Sequence, residues 1–195
     1  MGYMIKEKKK FLLFFTILLG ILLRLYLLNK ESPSLDEIAT IFHSFTFAPF
    51  KDILSLSKYW FSVGHFPTYF IMMHYWMKLF GITEAAVRFP SVVFGVLSIW
   101  LVFLLAKRLF DEKIGLLAGY LFAVSMININ YSQCGRPYSM STCFVVLSFL
   151  TLLVALEKNT LKPWLGYIAA TLLALLLSAS TLPILICQIA FLGLS

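Results

Sequence analysis

The chain has 195 residues, 61% of them hydrophobic and 13% charged, and a formal charge of +7. That apolar share, with a mean hydropathy of +0.90, excludes an ordinary soluble domain, whose apolar fraction is nearer half. The basic excess does not mark a nucleic-acid binder, because lysine and arginine flank apolar runs and form no continuous stripe.

Taken in order, the chain starts with a lysine cluster, Lys6, Lys8, Lys9 and Lys10, followed by an apolar run over residues 11–28. The pair has the outline of a signal peptide, but no small-residue cleavage site follows, so it reads as an uncleaved first transmembrane helix. The lysines place the N-terminus in the cytoplasm. Arg24, in the last turns of this segment, either snorkels to the outer surface or faces a polar cavity. Residues 29–84 form an outer loop too long for a simple connection. Within it, Ser34-Leu35-Asp36-Glu37 has the capping-box form and starts a helix. Ile38, Ile41, Phe42 and Phe45 then line an apolar face suited to the membrane surface, with Asp36, Thr40 and His43 on the opposite face. Ala48-Pro49 ends this helix. After His65-Phe66-Pro67 an aromatic-rich helix is expected over Thr68–Phe80, closed by Gly81. Trp60, Tyr69, Tyr75 and Trp76 suit an interfacial belt.

Further spans are expected at 85–105, 114–128, 138–156, 165–178 and 182–195. Lys107, Arg108 and Lys113 fall inside, Asn128 to Pro137 makes an outer turn, and Glu157, Lys158 and Lys162 fall inside again. The positive-inside rule is satisfied at each return. The fold class is therefore all-α, a polytopic transmembrane bundle with interfacial helices in the first outer loop. The last apolar run reaches Ser195 without a polar close, which fits the N-terminal portion of a longer chain. The three cysteines have no metal-type spacing; Cys143 and Cys187 sit in apolar runs and Cys134 in a polar turn.

Asp36 and Glu37 put two carboxylates at the membrane boundary, on the side away from the lysines. Glu37 is by form the capping-box partner, while Asp36 sits at the positive end of a helix and projects toward Thr40 and His43. Asp36 and His43, two turns apart on one face, are candidate ligands for a divalent cation, though two ligands alone do not make a site. Lys30 reads as a solvated flank and His74 as an interfacial packing residue.

Several stretches together resemble the GT-C membrane glycosyltransferases, nearest to the protein O-mannosyltransferases, the aminoarabinose transferase and the Rgt-type sugar transferases. These are Gly20-Ile-Leu-Leu-Arg24-Leu-Tyr26 with Ser34-Leu35-Asp36-Glu37, then His65-Phe66-Pro67-Thr68-Tyr69-Phe70 with Leu79-Phe80-Gly81. Arg88-Phe89-Pro90-Ser91 with Gly95 follows, and last comes Tyr131-Ser132-Gln133-Cys134-Gly135-Arg136-Pro137-Tyr138-Ser139-Met140, similar to YSQEARPYSL. The resemblance implies a multi-pass plasma-membrane enzyme that moves a sugar from a polyprenyl-phosphate donor to an acceptor on the outer face, with membrane lipid as its surroundings. It implies Asp36 as catalytic base, with Glu37 beside it. Arg136 is then a group for the lipid phosphate or an interfacial anchor, with Arg88, His65, Tyr138 and Gln133 as further substrate-binding candidates. Some members use a divalent ion. Two departures stand out: Cys134 replaces the glutamate of the family pattern, and no histidine falls near Ser178-Ala179-Ser180-Thr181. Cys134 and the short length favour the alternative of a non-catalytic membrane protein that keeps the scaffold and binds a polyprenyl lipid or a partner. A small transporter would carry more charge inside its spans.

Overall fold

A computed structural model describes residues 2–26, 28–29, 32–44 and 66–194. His65, Lys30, Trp60, Phe45 and the Ala48-Pro49 stop lie outside the described residues. All the regular structure among the described residues is helical. In chain order the helices are α1 (Gly2–Leu25), α2 (Leu35–His43), α3 (Pro67–Phe80), α4 (Glu84–Leu109), α5 (Glu112–Val124), α6 (Met126–Ser132), α7 (Tyr138–Lys158), α8 (Leu161–Leu177) and α9 (Leu182–Leu194), with a 3₁₀ turn at Ala179–Thr181 before α9.

Two helices, α4 and α7, are long and apolar enough to cross a membrane, and α5 with α6 makes a third candidate as one span bent by 60°. Helix α1 is not among them, since its apolar run is bounded by Lys10 and Arg24. Its outer stripe is nonetheless apolar, with Phe11, Phe14, Leu18, Leu22 and Leu25 all exposed at helical spacing. A soluble fold would bury such a stripe, whereas lipid leaves it in place.

Helix α4 is the hub, packing against α1, α5, α6 and α7. Lipid offers little hydrophobic drive for helix pairing, so close approach of small residues has to supply the contact. Gly115 of α5 provides it: a Cβ there would stand 2.8 Å from the Phe103 carbonyl and 2.9 Å from the Lys107 Cβ. Polar side chains bind a second junction. Tyr167 Oη donates to Gln188 Oε1 at 3.3 Å, and Gln188 Nε2 donates to Ser148 Oγ at 2.7 Å, tying α7, α8 and α9 together. The apolar core lies where α3, α4, α7 and α8 meet, around Tyr69, Phe70, Met73, Val87, Met140 and Leu177.

Two interruptions in the helices have visible compensation. Pro90 lies inside α4 and has no N–H for the Ala86 carbonyl. The Trp76 indole donates to that carbonyl at 2.7 Å, so the aromatic helix α3 mends the gap. The third span, expected over 114–128, breaks at Ser125 and resumes as α6. In an unbroken helix the Ala123 carbonyl would accept from residue 127; here Arg24 Nη1 donates to it at 3.1 Å. The outer turn is accordingly shorter than Asn128 to Pro137, because helix continues to Ser132.

Arg24 does not snorkel. It is 0% exposed, donating through Nε to Ser132 Oγ at 3.1 Å and through Nη1 to the Gly20 carbonyl at 3.1 Å as well as to Ala123. It lines no hollow among the described residues either: α1, α5 and α6 close around it and supply the acceptors.

Candidate functional site

Helix α2 starts as its residue types dictate. Ser34 Oγ accepts from the Glu37 N–H at 3.3 Å, and the Glu37 carboxylate accepts from the Ser34 N–H at 3.0 Å, completing the capping box. Ile38 and Phe42 face outward as expected, whereas Thr40 and Ile41 depart from expectation, Thr40 being buried and Ile41 packed on the core. Glu37, Thr40 and Ser44 are buried against the bundle, while Leu35 is 86% and Phe42 63% exposed. The apolar side faces outward, as a helix at a lipid boundary requires, and Thr40 turns inward, where its hydroxyl donates to the Asp36 carbonyl at 3.1 Å. Asp36 therefore parts company with Thr40 and stays exposed.

The Glu37 carboxylate does more than cap. Arg88 Nε donates to Oε1 at 2.8 Å and Arg88 Nη2 to Oε2 at 3.0 Å, a bidentate pair that is 5% exposed on each side. The Gly135 N–H also donates to Oε1 at 2.8 Å. Arg88 Nη1 reaches the Leu28 carbonyl at 2.6 Å. The Glu37–Arg88 pair thus fastens Leu28 just after α1, the start of α2, helix α4 and the turn at 133–137 together. Gly135 is required for the last of these, since a Cβ there would sit 2.6 Å from Val87 Cγ1. Burial works to raise the Glu37 pKa, but the Arg88 bonds and the two backbone N–H groups outweigh it and hold the carboxyl below the usual range.

The other expected site residues fall around this clamp. Gln133 Nε2 donates to the Tyr26 carbonyl at 2.7 Å and to those of Leu23 and Arg24 at 3.2 and 3.3 Å, so it caps the C-terminus of α1. Its amide, like the Arg88 guanidinium and the Glu37 carboxylate, has internal partners. Arg136 is buried, with its guanidinium 5.7 Å from the Tyr138 ring, and its carbonyl accepts from Ser91 Oγ at 3.2 Å. Tyr138 in turn packs on Tyr131, ring centroids 4.9 Å apart. His43 is half-buried against Phe42 and Phe70, and burial pushes its pKa down. Among the described residues no three His, Cys, Asp or Glu side chains group to hold a metal ion. Cys134 lies within electrostatic reach of Asp36, Glu37 and Arg136, and burial first, then the Glu37 charge, push its thiol up to about 11.

Two hollows flank the clamp. One, of about 620 Å³, is mainly apolar, lined by Leu19, Leu23, Val124, Met126 and Ile129, with Arg88 and Gln133 at its polar side. The other, of about 340 Å³, lies beside the tyrosine pair and is lined by Tyr131, Tyr138, Ser141, Thr142, Ser178, Ser180 and Thr181 together with Val145 and Ile184, with no charged side chain. Gly135 and Gln133 were the least legible of these roles. A glycine before Arg-Pro signals a turn, but nothing in sequence says its N–H is bound by a carboxylate 98 residues away.

An all-helical protein with two to three candidate membrane spans, long lipid-facing apolar stripes and buried polar joints is an integral membrane protein. The chain belongs to the dolichyl-phosphate-mannose-protein mannosyltransferase family, whose profile matches residues 64–195. That family transfers sugars from lipid-linked donors. The match includes Arg88, Gln133, Arg136 and Tyr138, while Asp36, Glu37 and His43 precede it. A protein of Aquifex aeolicus (strain VF5), described as an uncharacterized protein, is 32% identical over 110 residues, which is 53% of this chain and 22% of the relative. The match thus spans about a fifth of that relative's length. No solved structure matches the chain significantly.

Proposed function

We infer that this chain forms part of a glycosyltransferase that moves a sugar from a polyprenyl-phosphate donor to an acceptor at the outer face of the plasma membrane, with the lysine-rich N-terminus in the cytoplasm. The observation that carries this reading is the contrast between two neighbouring carboxylates. Glu37 is buried and bound by four donors, whereas Asp36, one residue away, is exposed on a helix that the Glu37 clamp holds in place. An exposed carboxylate on a helix fastened through its neighbour suits a general base.

In that role Asp36 accepts the proton of the acceptor hydroxyl as its oxygen attacks the anomeric carbon. The bond from that carbon to the phosphate oxygen breaks with its electron pair on the phosphate, inverting the sugar. The apolar hollow between α1 and α6 suits the polyprenyl tail, and the one beside Tyr138, with its serine, threonine and tyrosine residues, suits a sugar. Arg136, between Cys134 and the tyrosine pair, is the cation proposed for the leaving phosphate. His65 keeps its place as a proposed substrate contact. A divalent cation at Asp36 would show as loss of transfer in EDTA, restored by added metal.

The test is sugar transfer from a labelled polyprenyl-phosphate donor by membranes carrying the full-length protein. Asp36→Asn should abolish transfer with expression and lipid binding unchanged. Transfer retained by Asp36→Asn removes it from the mechanism. The half-buried Cys134, where the family pattern has an acid, favours a second reading of lipid binding without catalysis. Donor binding by wild-type protein with no transfer to any acceptor would select it.

A further inference from the structure

We propose that the lysine end of the bundle carries a binding site for an anionic glycerophospholipid, between α1 and α5. This site does not depend on the glycosyltransferase reading. A hollow of about 520 Å³ opens there, at the far end of α1 from the Glu37 clamp. Its walls are Leu12, Leu116, Leu117 and Tyr120, and its rim carries Lys9 and Lys113. The Thr16 hydroxyl, also on the wall, is turned back onto the Leu12 carbonyl at 2.9 Å and presents no free polar group.

The register of the two helices is what selects the ligand. Lys9, Leu12 and Thr16 follow at i, i+3 and i+7 on α1; Lys113, Leu116 or Leu117, and Tyr120 follow at i, i+3 or i+4, and i+7 on α5. The two starts are joined, since Lys9 Nζ bonds Glu112 Oε2 at 2.7 Å. Both lysines therefore stand at one level, and the apolar walls descend from them by about 10 Å at 1.5 Å per residue. Cations above and hydrocarbon below match a phosphate above an acyl chain.

Charge complementarity at this end extends beyond the rim. Lys8, Lys9, Lys10, Lys107, Arg108, Lys113, Lys158 and Lys162 gather there against Glu7, Asp111, Glu112 and Glu157. The acids are largely occupied: Glu112 is shared by Lys9 and Lys107, Glu157 pairs with Arg108, and Asp111 caps α5. Lys113 makes no ion pair among the described residues. A zwitterionic headgroup would bring its own cation to a surface already in excess of them, so the site favours a net negative lipid.

The experiment is native mass spectrometry of the detergent-purified chain titrated with dioleoylphosphatidylglycerol or dioleoylphosphatidylcholine. Two lysines at the headgroup predict about a thirtyfold preference for phosphatidylglycerol. Lys113→Gln should cut that preference about fivefold. Lys162→Gln, at the same end but outside the hollow, should leave it unchanged. Leu117→Trp fills the hollow without altering charge and should lower retention of phosphatidylglycerol even in low salt. Equal retention of the two lipids, or a preference that Lys162→Gln reduces as much as Lys113→Gln, overturns the site. So does displacement of phosphatidylglycerol by equimolar undecaprenyl phosphate, or a dimer that Leu117→Trp abolishes, since either names a different occupant.

Discussion

Replacing Glu37 by Gln tests the clamp with little change of shape. A glutamine has one acceptor oxygen where the carboxylate has two. If its oxygen keeps the Arg88 Nε and Gly135 bonds at the Oε1 position, its NH₂ is left facing Arg88 Nη2 and the Ser34 N–H, two donors opposed to a donor. The pair is 5% exposed on both sides, so the Arg88 charge is stranded where water cannot replace the lost partner. Removing one member of a buried pair costs about 3–5 kcal/mol. For a chain of this size that is a fall in melting temperature of about 6–20 °C. The assay is thermal unfolding in detergent, with Arg88→Met and the double variant Glu37→Met/Arg88→Met completing a cycle. The double variant should be more stable than either single one, because it leaves no buried charge. The pH dependence follows from the depressed carboxyl. Its stabilising contribution is fully present above the unfolded glutamate pKa of about 4.3 and is lost as pH falls through the lower folded value. Glu37→Gln should remove that acid-side loss. A Glu37→Gln protein that melts within about 2 °C of wild type, with additive single variants, would refute the clamp.

Two further outcomes follow from local geometry. Gly115→Ala places a methyl against backbone and should destabilise by about 1–3 kcal/mol, whereas Gly193→Ala meets nothing within 4 Å and should be neutral or stabilising; paired thermal melts read the contrast in sign. With Cys143 and Cys187 changed to alanine, N-ethylmaleimide at pH 8 should label Cys134 about a hundredfold more slowly than an ordinary thiol, since its pKa is pushed up to about 11, and Glu37→Gln should speed the labelling by removing a nearby negative charge.

Sequence carried the helices well because membrane helices announce themselves by apolar length and flanking charge. The capping box at Ser34 and Glu37 was legible for the same kind of reason, being a local pattern with a local cause. What stayed hidden was non-local. The four-donor environment of Glu37 draws on residues 34, 88 and 135, and no periodicity links them. The bend at Ser125 is also a tertiary event. MetIleAsnIleAsn continues an apolar run with neither glycine nor proline to interrupt it, and the carbonyl freed there is met by a guanidinium from α1. On α2 the outward apolar face at Ile38 and Phe42 was legible from spacing, but the inward turn of Thr40 and Glu37 and the packing of Ile41 on the core were not, because they depend on Arg88, Gly135 and α3 far along the chain.

The internal partners of Glu37, Arg88 and Gln133 change what a substitution at each would mean. Loss of transfer on changing Arg88 follows equally from a missing phosphate contact or a collapsed clamp, because Arg88 holds α1, α2 and α4 together. Rescue separates the two: a clamp residue should recover in the charge-free double variant, where packing replaces the pair, and a substrate contact should not. Asp36 has no such dual role on the bundle side, since its carboxylate is exposed and its helix is fastened through its neighbour. A change confined to the Asp36 side chain that removes transfer while leaving the melt unchanged therefore reports on chemistry, and the adjacent pair of carboxylates supplies its own control.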